Sequence, residues 1–130
     1  MSPRENACGP IEARARLNKA HQYFAVAQHA AAAHKHDAAA ANAVLAGIAA
    51  ADTICCLRLS RHSTSTRHDD AADLLATVDR VSSTALRRLL AVRYKAQYDH
   101  RPVTSTEAAQ AIRRSRQLLD AAEQAFQLVP

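Results

Sequence analysis

The scarcity of glycine and proline constrains this chain more than any other feature. Its 130 residues include two glycines and four prolines, most of them near the ends or between segments of regular apolar spacing. Because these two residues are the strongest breakers of regular structure, long stretches remain uninterrupted. Alanine, the best helix former, supplies 31 residues. The sequence therefore predicts an all-α protein.

Two long helices are predicted in the first half of the chain. The first runs from Pro10 to about His34, since proline is favoured in the first turn of a helix. Asp37 can cap the second helix. The core-facing residues of this second helix are those at helical spacing, Leu45, Ile48, Cys55 and Leu59.

A loop and two more helices follow. The stretch Ser60–Arg67 is polar and has no periodicity, so we predict a loop. A short third helix begins at Asp69 or Asp70, and Ser82 or Ser83 caps the fourth.

The fifth helix carries the clearest start signal. The fourth helix must end before Pro102, and Thr104 and Glu107 then form a capping box. With short connections between helices, the expected fold is an up-and-down bundle of four long helices plus one short helix. Residues 1–130 make one domain.

The expected core is thin. Leu, Ile, Val and Phe together supply 25 residues, and there is no Trp. Alanine-lined helices compensate by packing closely, and an apolar face left uncovered favours pairing with a second copy. We therefore expect a homodimer.

Positive charge is concentrated in the later part of the chain. The net charge is +5 overall, whereas the segment Arg58–Arg116 alone carries +6. Such a surface suits a polyanion such as RNA, and it is equally typical of a solvated helical face.

The three cysteines, Cys8 and the adjacent Cys55 and Cys56, point to a reduced setting. Neighbours on a helix diverge by about 100° and seldom form a disulfide, and Cys55 falls on a predicted core face. No unbroken apolar run approaches a membrane span, and the first ten residues lack the apolar centre of a signal peptide. The expected protein is soluble and cytoplasmic, with no membrane partner.

Several site classes have no sequence support. The seven histidines include no H-x-x-x-H or E-x-x-H pair, so no metal site is predicted. A glycine-rich phosphate loop and a G-x-S-x-G elbow are also absent from the sequence. No cofactor is expected.

The apolar stripe of the fourth helix ends on polar residues. Steps of three and four from Leu86 lead through Leu89 and Leu90 to Arg93, and then to His100. An arginine buried without a partner is costly, so either the stripe leaves the core here or a site lies at its end. A structural alternative pairs Arg93 with Asp52, the lone acid on the second helix's apolar stripe.

The order of features resembles a known superfamily. The segment RHDDAADLL precedes a short helix, LRRLLAVRY follows, and STEAAQAIRRSRQLLDAAEQ forms the last helix. This order, over Ala13–Phe126, is similar to the HEPN superfamily of small helical-bundle domains in prokaryotic toxins, antiviral systems and companions of nucleotidyltransferases. The resemblance implies a HEPN-like bundle.

RNA-cleaving HEPN proteins carry an R-x4-6-H motif, which Arg93 and His100 match. The resemblance implies a dimer whose motifs meet at a two-fold interface and a metal-independent attack of the ribose 2′-hydroxyl on the adjacent phosphate. Arg93 would bind the phosphate and His100 would transfer protons. The pair Arg61 and His68 has the same spacing, but it lies where the family has a His-Asp pair of structural use.

The resemblance implies an endoribonuclease in a toxin or phage-defence setting, with a nucleotidyltransferase-type antitoxin as a partner. Tyr94 follows the motif arginine directly, which leaves open a non-catalytic helical dimer that binds a protein or nucleotide. Tyr94, Tyr98, Arg113 and Arg114 are candidate substrate-binding residues. Alternatively, the two tyrosines pack at a helix end or a dimer face, and the two arginines belong to a solvated face.

Overall fold

A computed structural model describes residues 4–128 of the chain. Within these residues lie five helices and two short strands. In chain order they are β1 (Glu5–Ala7), α1 (Pro10–Ala32), α2 (His36–Leu59), β2 (Arg61–Ser63), α3 (His68–Ala76), α4 (Arg80–Gln97) and α5 (Ser105–Gln127). The prediction of an all-α bundle with four long helices and one short helix is confirmed.

The first and last long helices start at the signals present in the sequence. Pro10 occupies the first turn of α1, and the Glu12 carboxylate accepts a hydrogen bond from the backbone N–H of Gly9 at 3.0 Å. At the start of α5, Thr104 and Glu107 form the predicted capping box, each side chain accepting from the other's backbone N–H. Both starts depend on residues within one helical turn of each other.

The start of α4 differs from the prediction. Asp79 is its N-cap, and the Asp79 side chain accepts from the backbone N–H of Ser82 at 2.9 Å. Ser82 and Ser83 lie inside the helix and are buried. The Ser83 hydroxyl donates to the carbonyl of Ala72 on α3, so it joins two helices instead of capping one.

The central helix is α2, which packs against α1, α4 and α5. It is buried on most sides, so the single predicted core stripe is too narrow: Leu45 is exposed, whereas alanines all around the helix are buried. Gly47 of α2 faces α4 and α5 at short range. A Cβ added there would overlap Leu89 of α4 and would lie 3.2 Å from Leu118 of α5. Small side chains thus allow the close helix packing expected of an alanine-rich core.

Among residues 4–128, α2 has the length and hydropathy needed to cross a membrane, and 72% of its apolar window is buried inside the bundle. The sequence-based expectation counted only unbroken apolar runs. In α2, Asp37, Asn42 and Asp52 break such runs, although the mean hydropathy of the helix stays high. Burial on this scale is typical of the core helix of a bundle.

Two features near the N-terminus depart from the sequence prediction. Part of the predicted loop Ser60–Arg67 forms β2, which pairs antiparallel with β1 so that Glu5 lies opposite Ser63. Cys8 and Cys56 form a disulfide, in contrast to the expected reduced cysteines. The expectation concerned the adjacent Cys55 and Cys56, which seldom form a disulfide, whereas Cys8 reaches Cys56 because the β1–β2 pairing brings the N-terminal segment to the end of α2. Cys55 is free and buried, as predicted.

Candidate functional site

The C-terminal half of α4 is where the apolar stripe leaves the core. Leu86 and Leu89 are fully buried, whereas Leu90 and Arg93 are half-buried. Each step along the stripe therefore moves the side chains outward, and Arg93 lies at the edge of the core. This position spares the guanidinium the full cost of desolvation.

A pocket of about 220 Å³ lies beside Arg93. The loop before α3, the first turn of α3 and the last turns of α4 form its walls. Its lining residues are Thr66, His68, Asp69, Leu90, Arg93, Tyr94 and Tyr98. Three of the six predicted site residues, Arg93, Tyr94 and Tyr98, thus come together in one pocket.

Short-range hydrogen bonds shape the loop wall of this pocket. The Ser65 hydroxyl donates to Asp70 of α3 at 2.6 Å and accepts from the backbone N–H of Arg67 at 3.1 Å. These bonds fold the chain tightly into the start of α3. His68, the first residue of that helix, lines the pocket opposite α4.

Within residues 4–128, Arg93 forms no ion pair. Its guanidinium carbon lies 5.9 Å from the centre of the Tyr98 ring, a cation–π distance. Asp52 bonds instead to Arg16 of α1, so the structural alternative that pairs Arg93 with Asp52 is wrong. The charge of Arg93 therefore remains available to an anion.

The electrostatics of the pocket centre on His68. Burial lowers the pKa of the His68 imidazole, and the positive charge of Arg93 lowers it further, while Asp69 raises it. These effects together favour the neutral imidazole. A neutral imidazole can accept a proton from a hydroxyl group, and the protonated form would attract a phosphate.

The two tyrosines are exposed at the pocket rim. Tyr94 is 66% and Tyr98 61% exposed, with ring centres 5.8 Å apart. The two exposed rings can therefore contact a base or a second chain.

The structure places His100 outside this pocket lining. The His100 side chain is 94% exposed, and its Nδ1 lies 3.5 Å from a carboxylate oxygen of Asp99. Arg101 donates to the same Asp99 carboxylate at 2.7 Å, and the side-chain and backbone hydrogen bonds from Arg101 lower the pKa of Asp99 to about 2. The Asp99–Arg101 pair therefore shapes the turn that presents His100 to solvent.

The two predicted arginines of α5 lie away from the Arg93 pocket. Arg113 is exposed, whereas Arg114 lines a groove of about 300 Å³ between α4 and α5. Arg88 and Lys95 add two cations to that groove, although Lys95 bonds to Glu107 at 2.8 Å. Of the candidate substrate-binding residues, Tyr94 and Tyr98 thus line the Arg93 pocket, Arg114 lines the α4–α5 groove, and Arg113 lines neither.

A second polar cluster links α1, α2 and β2. Arg16 donates to Asp52 and to Nε2 of His62, each at 3.3 Å, and His62 Nδ1 donates to the carbonyl of Ser63 at 3.1 Å. Burial raises the pKa of Asp52 to about 6, although Arg16 opposes this effect. The pKa of His62 is lowered by burial and then by Arg16. The cluster anchors β2 to α1 and α2.

Sequence reasoning assigned no binding or catalytic role to His68 or Thr66. The signal for His68 was its spacing from Arg61, but the family resemblance gave that histidine a structural role. Nothing in the sequence indicated that α3 would face the end of α4. In the described part of the chain, no three His, Cys, Asp or Glu side chains are grouped to hold a metal ion.

Compared with known proteins, the chain matches no protein-family model and no curated sequence.

Proposed function

We propose that this protein is a metal-independent endoribonuclease of the HEPN type that acts as a homodimer. Arg93 binds the phosphate at the cleavage site, and His100 transfers protons across the dimer interface. The observation that carries the proposal is the Arg93 pocket, where a half-buried guanidinium without an ion pair among residues 4–128 lies beside two exposed tyrosines. A guanidinium in such a pocket suits the geometry of a phosphate diester.

The positive charge of the later half of the chain and the exposure of three site residues further support this proposal. The surrounding segment Arg58–Arg116 carries a net charge of +6, which would attract RNA over a long range. The His100 side chain is 94% exposed, so it is free to contact a second chain in the proposed dimer. Exposed Tyr94 and Tyr98 offer rings for stacking with an unpaired base.

The wider setting is proposed from the resemblance alone. It comprises a toxin or phage-defence system, a cytoplasmic location and a nucleotidyltransferase-type antitoxin partner. In the cytoplasm, the Cys8–Cys56 disulfide seen in the structure would lie in a reducing compartment, where disulfides are rare. Thiol labelling of rapidly quenched cells would measure its state there.

Purified protein should cleave an unstructured RNA in the presence of a chelator. Arg93→Ala and His100→Ala should each abolish cleavage and toxicity in growing cells, whereas Lys19→Ala, which removes an exposed charge of α1, should leave both unchanged. Light scattering should show a dimer. A strict monomer at high concentration, or cleavage that persists in both site variants, would contradict the proposal.

Mixing the two inactive variants tests the composite site. If Arg93 of one chain works with His100 of the other, mixed dimers of Arg93→Ala and His100→Ala chains contain one intact site and regain activity. No recovery after verified subunit exchange would mean that both residues act within one chain.

The exposure of His100 outside the Arg93 pocket favours a second candidate function, a non-catalytic helical dimer that binds a protein or nucleotide. On this alternative, the wild-type protein cleaves no RNA, and Arg93→Ala weakens binding of the partner while His100→Ala does not.

A further inference from the structure

We propose that His68 is a catalytic residue of the Arg93 pocket, acting as the general base that takes the proton from the attacking 2′-hydroxyl. This inference rests on the proposed ribonuclease function and adds a second imidazole to it. His100 then serves as the acid that protonates the leaving oxygen.

Position is the first argument for His68. His68 and Arg93 line the same pocket from facing elements, α3 and α4. A phosphate bound by Arg93 therefore lies next to the His68 ring, and the adjoining ribose would occupy the space bounded by Thr66 and Tyr98. No dimer is needed to bring these residues together, in contrast to His100.

Protonation state is the second argument. A general base must be unprotonated before the reaction, and burial together with the charge of Arg93 lowers the pKa of His68. The other groups around the imidazole are Asp69, which raises the pKa, and the phenols of Tyr94 and Tyr98. A bound phosphate would offset the charge of Arg93, so binding of substrate would make His68 a stronger base at the moment of attack.

The chemical step balances with these groups. The 2′-hydroxyl proton moves to the imidazole, O2′ forms a bond to phosphorus, and the bond between phosphorus and O5′ breaks. O5′ takes a proton from His100, and the products are a 2′,3′-cyclic phosphate and a free 5′-hydroxyl. Arg93 binds the non-bridging oxygens, where negative charge grows in the transition state.

The test compares RNA cleavage by wild-type protein, His68→Asn, His68→Ala and the control His29→Ala, which changes an exposed histidine near the end of α1. Removing a general base typically lowers the rate by about 100-fold or more. We expect that loss in both His68 variants, unchanged KM in His68→Asn, and full activity in the control. Circular dichroism and thermal melting verify that each variant is folded.

The pH profile distinguishes catalysis from a structural role. Wild-type kcat/KM should fall at acid pH as His68 becomes protonated, and the residual activity of His68→Asn should lack this acid limb. Retention of the limb, or full activity of folded His68→Asn, would overturn the inference while leaving the ribonuclease proposal intact. An inactive wild-type protein would instead refute the ribonuclease proposal itself.

A measurement without catalysis tests the pocket directly. NMR titration of the His68 ring should give a higher pKa in Arg93→Gln than in the wild-type protein. Inorganic phosphate should raise the His68 pKa in the wild-type protein, and it should do so much less in the variant. Identical titrations in all conditions would show that phosphate does not bind between Arg93 and His68, and the inference would fail.

Discussion

Asp52→Asn should remove a pH dependence of stability from this protein. Burial raises the pKa of Asp52 from 3.8 to about 6, although Arg16 lies 3.3 Å away. In the unfolded chain the carboxyl is hydrated and titrates at about 3.9. Between these two values the folded protein keeps a proton that the unfolded chain releases.

The sign and size of the effect follow from this difference. Because the folded-state pKa is raised, the contribution of Asp52 to stability is fully present below about pH 4 and is lost as the pH rises through about 6. One pKa unit corresponds to about 1.4 kcal/mol, so a shift of about two units amounts to about 3 kcal/mol. Asparagine keeps the shape of the protonated carboxyl without its titration.

Urea unfolding of both proteins between pH 4 and 8 measures this quantity. The free energy of unfolding of Asp52→Asn, relative to the wild-type protein, should rise by about 2 kcal/mol between pH 4 and 6 and then level off, because part of the full effect of about 3 kcal/mol falls below pH 4. Asp99 and Glu107, whose pKa values are lowered, act in the opposite direction, but they do so equally in both proteins. A flat difference would refute the argument that Asp52 is strongly desolvated.

Three further predictions concern the bundle. Gly47→Val should lower the free energy of unfolding by about 1–3 kcal/mol, measured in urea, because its side chain would overlap Leu89; unchanged stability would contradict the close approach. Cys8→Ser should cost about 4 kcal/mol because it opens a loop spanning 48 residues, and a reductant should lower the melting temperature of the wild-type protein but not of the variant. Thr104→Ala should cost about 1 kcal/mol through loss of the α5 cap, seen as a lower melting temperature, and an unchanged value would argue against the cap.

The elements predicted correctly are those whose signals are local. Pro10 fixes the start of α1, and the capping box of Thr104 and Glu107 fixes the start of α5 within one turn. The start of α4 was misplaced because Asp79, Ser82 and Ser83 are all good caps. The choice among them depends on α3, whose Ala72 carbonyl engages the Ser83 hydroxyl.

The elements missed are those that depend on distant residues. Each strand of the β1–β2 pair has three residues, which is too few for a periodic pattern. Glu5 pairs with Ser63, and the whole of α1 and α2 lies between them in the sequence. The Cys8–Cys56 disulfide depends on the same long-range pairing. His68 belongs to the candidate site only through the packing of α3 against α4, which no local signal in the sequence indicates.

The role proposed for Arg93 depends on which arginine pairs with the buried Asp52. Arg16 makes that contact in the structure, because α1 packs along α2 and brings Arg16 to within 3.3 Å of the carboxylate. Removing one partner of a buried ion pair costs about 3–5 kcal/mol, and the partial exposure of Arg16 favours the lower end. Arg16→Ala should therefore lower the melting temperature strongly, whereas Arg93→Ala should barely change it. The reverse order of melting temperatures would make Arg93 a structural residue and would remove the basis for binding a phosphate there.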